Sequence, residues 1–408
     1  MMKTVFLAMM RPEDHNCPAD EQALPRAILS GNDKTLQHGK NSVLFRIGDF
    51  HSSRVYTPNG VGGWRTKDVA SFPFDFGFFN ARQRAASTAS VTALQSLLDE
   101  PTAAEATHWF PLVVGIADDQ FLRLYHVADT GPWGVIYVNY HTEAVASADA
   151  GDFVRSMKNG FGALKIARRS ANDACNYGRW RQDLEFERKF TFDAIPDTWQ
   201  MINKLYQEVI EGKLPGFIPE FNLEFQVYDY EATIVEVLEP EEHAGYIAYI
   251  PQSDGRVCVK QKWFKENSEI RKETLKFNQN VDLKDAEAHA AEMCGGKVRS
   301  LPSYRRTRFD VNFESLDTGN VYGIFFDICR SVDAPRELAF SQCEVEYCRS
   351  RTWKPINDVF EQFEVASAFA EDFLRRAGIS YRQDLYSKLD FVRKLDQSLN
   401  TKSEICNV

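Results

Sequence analysis

The sequence lacks the residue spacings that mark structural metal sites and disulfide frameworks. Its 408 residues include eight cysteines and eight histidines, but no Cys-x-x-Cys pair and no paired-histidine spacing occurs. Scattered cysteines are typical of free, mostly buried thiols in a reducing compartment. The sequence therefore argues against a zinc site. The histidines, such as His126, His141, His243 and His289, are expected to be structural or surface residues.

Long apolar runs are also missing. No stretch reaches the length needed to span a bilayer. The N-terminal apolar run Val5–Met10 is too short for the core of a signal peptide. These absences predict a soluble, cytoplasmic protein with no role at a membrane.

Basic residues are outnumbered, and the usual phosphate-loop motif is absent. The chain has 48 Lys and Arg against 58 Asp and Glu, a net charge of −10, so no nucleic-acid partner is expected. The glycine-rich segment Asn59–Trp64 is not followed by the Lys-Ser/Thr pair of a phosphate loop. We interpret it as a turn.

What is present indicates two globular domains. The chain is 44% hydrophobic and 26% charged, and it is long enough for two cores. Gly160, Gly162 and the basic run Arg168–Arg181 indicate a boundary. We therefore predict an α+β N-terminal domain over residues 1–160, a linker over 161–182 and a second domain over 183–400. Strand-like runs at Trp109–Ile116 and Phe121–Val127 support the first of these.

The most informative segment is Leu184–Phe190. Its alternation places Glu185, Glu187 and Lys189 on one face of a strand and apolar side chains on the other. Two interpretations are open at this point. The charged face suits a hydrated sheet edge, and it equally suits the inside of a polar barrel that holds a metal ion and a phosphate chain.

Later strands also carry charge on one face, with acids on the first and last strands and bases between them. A closed barrel brings both sets into one lumen. Carboxylates suit Mg²⁺ or Mn²⁺, and Lys and Arg suit phosphate oxygens. The later residues are Lys260 and Lys262, Arg306 and Arg308, Asp327 within an apolar run, and Glu344 and Glu346.

The motif Glu185-x-Glu187-x-Lys189, followed by this succession of strands, resembles the CYTH, or triphosphate tunnel metalloenzyme, superfamily. The resemblance covers residues 183–388. It implies an α+β chain in which an eight-stranded antiparallel β tunnel with flanking helices follows the N-terminal domain. It also implies a triphosphate-containing small molecule as the substrate.

Site residues follow from the same resemblance. It implies that Mg²⁺ or Mn²⁺ is held by Glu185, Glu187, Glu344 and Glu346. Asp327 and Lys189 are the implied catalytic residues, and Glu273 lies beside Arg271 on a further polar strand. The implied phosphate-binding residues are Lys189, Lys260, Lys262, Arg271, Arg306, Arg308 and Lys388.

One strand departs from the pattern of this superfamily. Its members carry Arg-x-Arg on the strand before the lysine strand, whereas Gly245–Ile250 contains no base. The absence of two cations removes charge-assisted hydrogen bonds to phosphate, each worth on the order of 1.5–3 kcal/mol. Either another residue replaces them, or the substrate is smaller or less charged, or catalysis has been lost.

The sequence thus leaves several functions open. The first is a metal-dependent phosphohydrolase acting on tripolyphosphate, a nucleoside triphosphate or thiamine triphosphate. The alternatives are a catalytically impaired tunnel that binds a nucleotide or polyphosphate, and an adenylyl cyclase. The pattern of Val113–Asp119, Val135–Tyr140 and Asp152–Val154 resembles the SUKH superfamily of toxin-immunity proteins, which implies a protein partner for the N-terminal domain.

Overall fold

The chain folds into two antiparallel β-sheets with helices packed on them, so its class is α+β, as predicted. The computed structural model describes residues 3–10, 25–33, 36–46, 50–60, 63–73, 95–96, 98, 109–131, 134–145, 148–164, 177–220, 223–263, 268–332, 338–351 and 355–405. Among the helices of these residues, none has the length and apolar character needed to cross a membrane.

The first sheet contains eight strands in the spatial order β3-β8-β7-β6-β1-β2-β4-β5. Helix α1 (Ala150–Asn159) begins at a capping box formed by Asp149 and Asp152. Phe153 of this helix stacks on Phe6 of the sheet at 5.3 Å between ring centroids. The strands are β1 (Lys3–Met10), β2 (Ala27–Asp33), β3 (Ser42–Phe45), β4 (His51–Pro58), β5 (Trp64–Pro73), β6 (Phe110–Ala117), β7 (Phe121–Gly131) and β8 (Gly134–Ala144).

The second sheet closes on itself. The strands are β9 (Tyr177–Gly178), β10 (Leu184–Phe192), β11 (Phe217–Pro219), β12 (Phe225–Val237), β13 (Gly245–Pro251), β14 (Val257–Trp263), β15 (Ile270–Gln279), β16 (Val298–Ser315), β17 (Asn320–Ser331), β18 (Ala339–Arg351) and β19 (Tyr381–Asp384). Eight of them follow the order β10-β15-β14-β13-β12-β16-β17-β18, and β18 pairs again with β10. The predicted eight-stranded antiparallel tunnel is confirmed.

Four helices flank the barrel: α2 (Thr198–Ile210), α3 (Ala286–Cys294), α4 (Val359–Arg376) and α5 (Lys388–Ile405). The outward face of β10 packs on α4, where Phe186 stacks on Phe363 at 3.9 Å between ring centroids. Helix α3 ends at Gly295, whose φ of 64° makes it a left-handed cap. At β10 the apolar side chains therefore face outward toward α4, and the charged side chains face inward.

Helix α5 covers one end of the barrel, and the sequence interpretation did not include it. Its apolar residues pack against inward-facing residues of β12, β13 and β16. At the rim, Arg393 of α5 donates to Glu236 of β12 at 2.7 Å. The packing residues of α5 are Leu389, Phe391, Val392 and Leu395.

The two sheets contact each other through the β16–β17 hairpin. The backbone N–H groups of Asn41 and Ser42 donate to the carbonyl of Leu316 at 2.7 and 3.0 Å. Leu316 and Ile218 pack with apolar residues of β3 and β8. The boundaries between the domains stay a prediction, and Tyr177–Gly178, within the predicted linker, pairs with the end of β18.

Candidate functional site

The inward face of β10 carries the acids that the alternation predicted. Glu185, Glu187 and Lys189 are all buried, with at most 4% of each side chain exposed. Strand register places Glu187 opposite Glu346 and Lys189 opposite Glu344 on β18. Because alternate residues of both strands point inward, the charges of β10 and β18 meet inside the barrel.

Among the described residues, the charges of these strands belong to a larger set of buried and partly buried charges, which we call the lumen cluster. It contains seven carboxylates and seven cations that line the lumen or pair with residues that do. The residues are Glu185, Glu187, Glu273, Asp310, Asp327, Glu344 and Glu346, with Lys189, Lys260, Lys262, Arg271, Arg306, Arg308 and Lys388. A solvated sheet edge, the alternative interpretation of β10, does not describe this arrangement.

Three carboxylates of the lumen cluster form an acidic trio. Oxygens of Glu185, Glu187 and Glu346 lie within 4.8 Å of one another. Burial, together with the charges of Glu185 and Glu273, raises the pKa of Glu346 to about 8. Within the described residues, no cation pairs with Glu346 inside 4.0 Å. Carboxylate oxygens this close together are the ligands that a hard divalent cation takes.

The other two acids of the trio have cation partners. Lys262 donates to both oxygens of Glu185, at 2.5 and 2.6 Å. Burial opposes ionisation of Glu185, but Lys262 and other nearby cations outweigh it and hold its pKa well below the usual range. Glu187 pairs with Lys189 at 2.8 Å and with Arg271. On the same side of the lumen, Lys260 pairs with Glu273 at 2.8 Å.

A second group of charges surrounds Asp327, which has no exposed surface. Its carboxylate pairs with Arg306 at 2.5 Å, Arg308 at 2.7 Å and Lys388 at 2.9 Å. Burial raises the pKa of Asp327, and Arg306 opposes that rise. The position of Asp327 within an apolar strand is therefore explained, because the Asp327 carboxylate faces three cations inside the barrel.

Glu344 lies in this second group, away from the acidic trio. It pairs with Arg306 at 3.1 Å and contacts Arg308 and Lys388 closely. Three of the four acids predicted to hold metal thus stand together, while the fourth stands among cations. A role for Glu344 as a metal ligand stays a prediction.

The base-free strand is β13, between β12 and β14. Tyr246, Ala248 and Ile250 are the residues that it contributes to the lumen lining. Two further tyrosines, Tyr230 and Tyr304, line the same wall. The cavity left between all these side chains has a volume of about 30 Å³, room for only one or two water molecules.

Sequence interpretation missed Asp310 and the tyrosines of this wall. Asp310 follows Arg306 and Arg308 at the same two-residue spacing on β16, so the period alone was a signal for it. Burial and the charge of Asp327 raise the pKa of Asp310 to about 8. Tyr230 accepts a hydrogen bond from Arg306 at 2.9 Å, and a tyrosine in a strand gives no such signal.

No protein-family model and no curated protein matches the sequence. The chain is similar to the structure of HpAC1 from Hippeastrum, described as an adenylyl cyclase candidate with a dominant triphosphatase activity. That match has 13% identity and a TM-score of 0.31, and it covers 52% of this chain and 95% of HpAC1. The SUKH resemblance of the N-terminal domain gains no support from these comparisons.

The chain is also similar to the Pct1 RNA triphosphatase of S. pombe. In complex with the Spt5 CTD, Pct1 matches at 12% identity and a TM-score of 0.24, over 48% of this chain and 82% of Pct1. Pct1 alone matches at 13% identity and a TM-score of 0.23, over 48% and 80%. Because the identities and TM-scores are low, these similarities do not identify the function of this chain.

Proposed function

We propose that the barrel is a divalent-metal-dependent phosphohydrolase that acts on an inorganic or organic triphosphate. One observation carries this proposal: an acidic trio and seven cations share one buried lumen. A triphosphate has many anionic oxygens, and it needs both a metal ion and fixed cations to be held in a closed space.

The acidic trio fits a divalent ion. Glu185, Glu187 and Glu346 would hold Mg²⁺ or Mn²⁺ through carboxylate oxygens, and no described cation pairs with Glu346 within 4.0 Å. When bound, the ion would shield phosphate charge and lower the pKa of a coordinated water.

The cations would bind and orient the phosphate chain. Arg306 and Arg308 present guanidinium groups that match phosphate oxygens, and Asp327 positions both of them. Burial lowers the pKa of Lys189 to about 8. Its Nζ is therefore suited to give a proton to the leaving phosphate near neutral pH.

Phosphate release tests this proposal. Purified protein is incubated with tripolyphosphate, nucleoside triphosphates and thiamine triphosphate in Mg²⁺ or Mn²⁺. We expect phosphate release from at least one of these substrates. In Glu185→Gln the rate of release should fall by about a hundredfold or more, because a hundredfold is the upper range for residues that only support the ligands of a metal site. The matched control is Glu220→Gln, because Glu220 is a buried carboxylate that pairs with Arg349 outside the lumen cluster.

Two results would contradict the proposal: no release from any substrate, or equal rates in wild type and Glu185→Gln. Analysis of the products formed from ATP also separates hydrolysis from cyclisation, because a cyclase forms a cyclic nucleotide. Formation of a cyclic nucleotide would favour an adenylyl cyclase over a phosphohydrolase.

The base-free wall of β13 favours a second candidate, a tunnel that binds a nucleotide or polyphosphate without turnover. Tyr246, Ala248 and Ile250 offer no charge to a phosphate. In this candidate the N-terminal domain is a module for contact with a protein partner. Its signature is a rise in melting temperature with ligand and metal, since a ligand of the native state stabilises it, without phosphate release.

A further inference from the structure

Every cation of the lumen cluster is already paired with a carboxylate. Lys189, Lys260, Lys262, Arg306, Arg308 and Lys388 each place a nitrogen within 2.9 Å of a carboxylate oxygen. Arg271 contacts Glu187 closely. A phosphate chain that enters the lumen must therefore compete with a protein carboxylate for each cation that it contacts.

The existing ion pairs limit what an anion can bind. Each of the seven cations pairs closely with one of five carboxylates, which are Glu185, Glu187, Glu273, Asp327 and Glu344, and β13 adds no base. An entering triphosphate that took Lys262 and Lys260 would leave Glu185 and Glu273 buried without their counter-charges. Burial of carboxylates without counter-charges, next to a bound polyanion, is strongly unfavourable.

A divalent cation has the opposite effect on the same residues. Coordination by Glu185 and Glu187 takes up the carboxylates that lie closest to Lys262 and Lys189. Lys262 keeps Glu273 at 3.2 Å and Lys189 keeps Glu344 at 3.9 Å, so both ammonium groups are held less tightly, and the ion adds two positive charges. The lumen thereby becomes better suited to bind an anion.

We infer that tight binding of a triphosphate follows binding of a divalent ion at the acidic trio, because the ion weakens the carboxylate contacts of cations that hold phosphate. This order of binding rests on the proposed function and adds a requirement to it. The two ligands then enhance each other's affinity by the same factor, as linkage demands, and such factors are typically about 5–150-fold.

Titration calorimetry with the full chain tests the order. Inorganic tripolyphosphate is titrated into protein in EDTA and into protein saturated with Mn²⁺, and Mn²⁺ is titrated into protein alone. We expect Mn²⁺ to bind alone, and tripolyphosphate to bind roughly 5–150-fold more tightly with Mn²⁺ than in EDTA. Equal affinity for tripolyphosphate in the two conditions, or no binding of Mn²⁺ alone, would overturn the inference.

A charge-neutralising variant gives the sharper test. Glu273 pairs with Lys260 at 2.8 Å and Lys262 at 3.2 Å but lies outside the acidic trio. Glu273→Gln should therefore gain affinity for tripolyphosphate in EDTA and keep its site for Mn²⁺. If Glu273→Gln does not fold, Glu187→Gln, which removes the carboxylate nearest to Lys189, should show the same gain in EDTA.

The control is again Glu220→Gln, which changes the net charge equally but outside the lumen cluster. It should bind tripolyphosphate in EDTA no better than wild type. An equal gain in the control, or no gain in either lumen variant, would refute the explanation by weakened carboxylate contacts. Failure of the proposed function is distinguishable, because in that case tripolyphosphate does not bind even with Mn²⁺ present.

Discussion

At the scale of single residues, the acids of the barrel differ in how their charge is balanced. Glu185 has Lys262 against both oxygens, and its pKa lies well below the usual range despite burial. Glu346, equally inside the lumen, has a pKa near 8 because burial and like charges dominate. The same side-chain type therefore carries a fixed charge at one position and a titratable one at the other.

The titratable acid predicts how metal binding depends on pH. Below pH 8, Glu346 holds a proton that must leave before its carboxylate can coordinate an ion, so affinity rises as pH rises toward 8. The slope is about tenfold per pH unit for one released proton. Mn²⁺ affinity measured by calorimetry at pH 6, 7 and 8 checks this.

Glu346→Gln has no titratable carboxyl group at this position. Its affinity for Mn²⁺ should therefore be weaker than that of wild type and nearly independent of pH between pH 6 and pH 8. Wild-type affinity that is equal at pH 6 and pH 8 would show that Glu346 does not coordinate the ion.

At the scale of elements, the alternation of charged residues was sufficient to predict the inward faces of β10, β14 and β18. The extent of the strands was harder to predict. Phe225–Val237 form one strand, β12, in spite of a shift of register between Ala232 and Ile234. A bulge of this kind interrupts the period without ending the strand, so the sequence pattern breaks where the backbone pairing continues.

The sequence did not predict helix α5, because the role of its apolar residues depends on the surface that they cover. Its apolar positions face the inward side of the barrel, which for an ordinary sheet would be a polar surface. Phe391 packs on Phe340 at 4.8 Å between ring centroids, and it also contacts Tyr304. The end of the lumen is thereby closed by aromatic packing.

Removal of an aromatic side chain from this packing should lower the stability of the barrel. Phe391→Ala is expected to lower the free energy of unfolding by about 3–5 kcal/mol, the range for a buried phenylalanine. Urea denaturation followed by circular dichroism measures the change. Lys394→Ala, at an exposed position of the same helix, is the control. A loss below 1 kcal/mol in Phe391→Ala would mean that α5 does not cover the barrel.

At the scale of the whole molecule, the contact between the two sheets could not be predicted from the sequence. It joins residues that are far apart in the chain, as where Asn41 donates to Glu314 at 3.1 Å across 273 positions. Glu314 in turn pairs with Arg351 at 3.0 Å. A periodic pattern describes one segment of the sequence at a time, so it predicts neither this contact nor the grouping of Glu344 with cations.

A glycine at this contact provides the test. A Cβ atom at Gly39 would lie 2.3 Å from backbone atoms of Leu316, which cannot be accommodated without a shift. Gly39→Ala should therefore lower the free energy of unfolding by about 1–3 kcal/mol. It should also speed hydrogen exchange at the amides of Asn41 and Ser42, which donate to Leu316.

Gly162→Ala is the matched control, because a Cβ atom there meets nothing within 4 Å. Exchange that is unchanged at both amides in Gly39→Ala would show that the sheets do not contact each other through this hairpin.

A crystal structure with Mn²⁺ and tripolyphosphate tests most directly whether the barrel holds metal and phosphate together. Anomalous scattering locates manganese independently of the phosphorus atoms. The predicted result is a manganese peak coordinated by Glu185, Glu187 and Glu346, with phosphate oxygens against Lys262 and Arg306. Manganese bound only outside the lumen, or tripolyphosphate bound only on the outer surface, would contradict the proposed site.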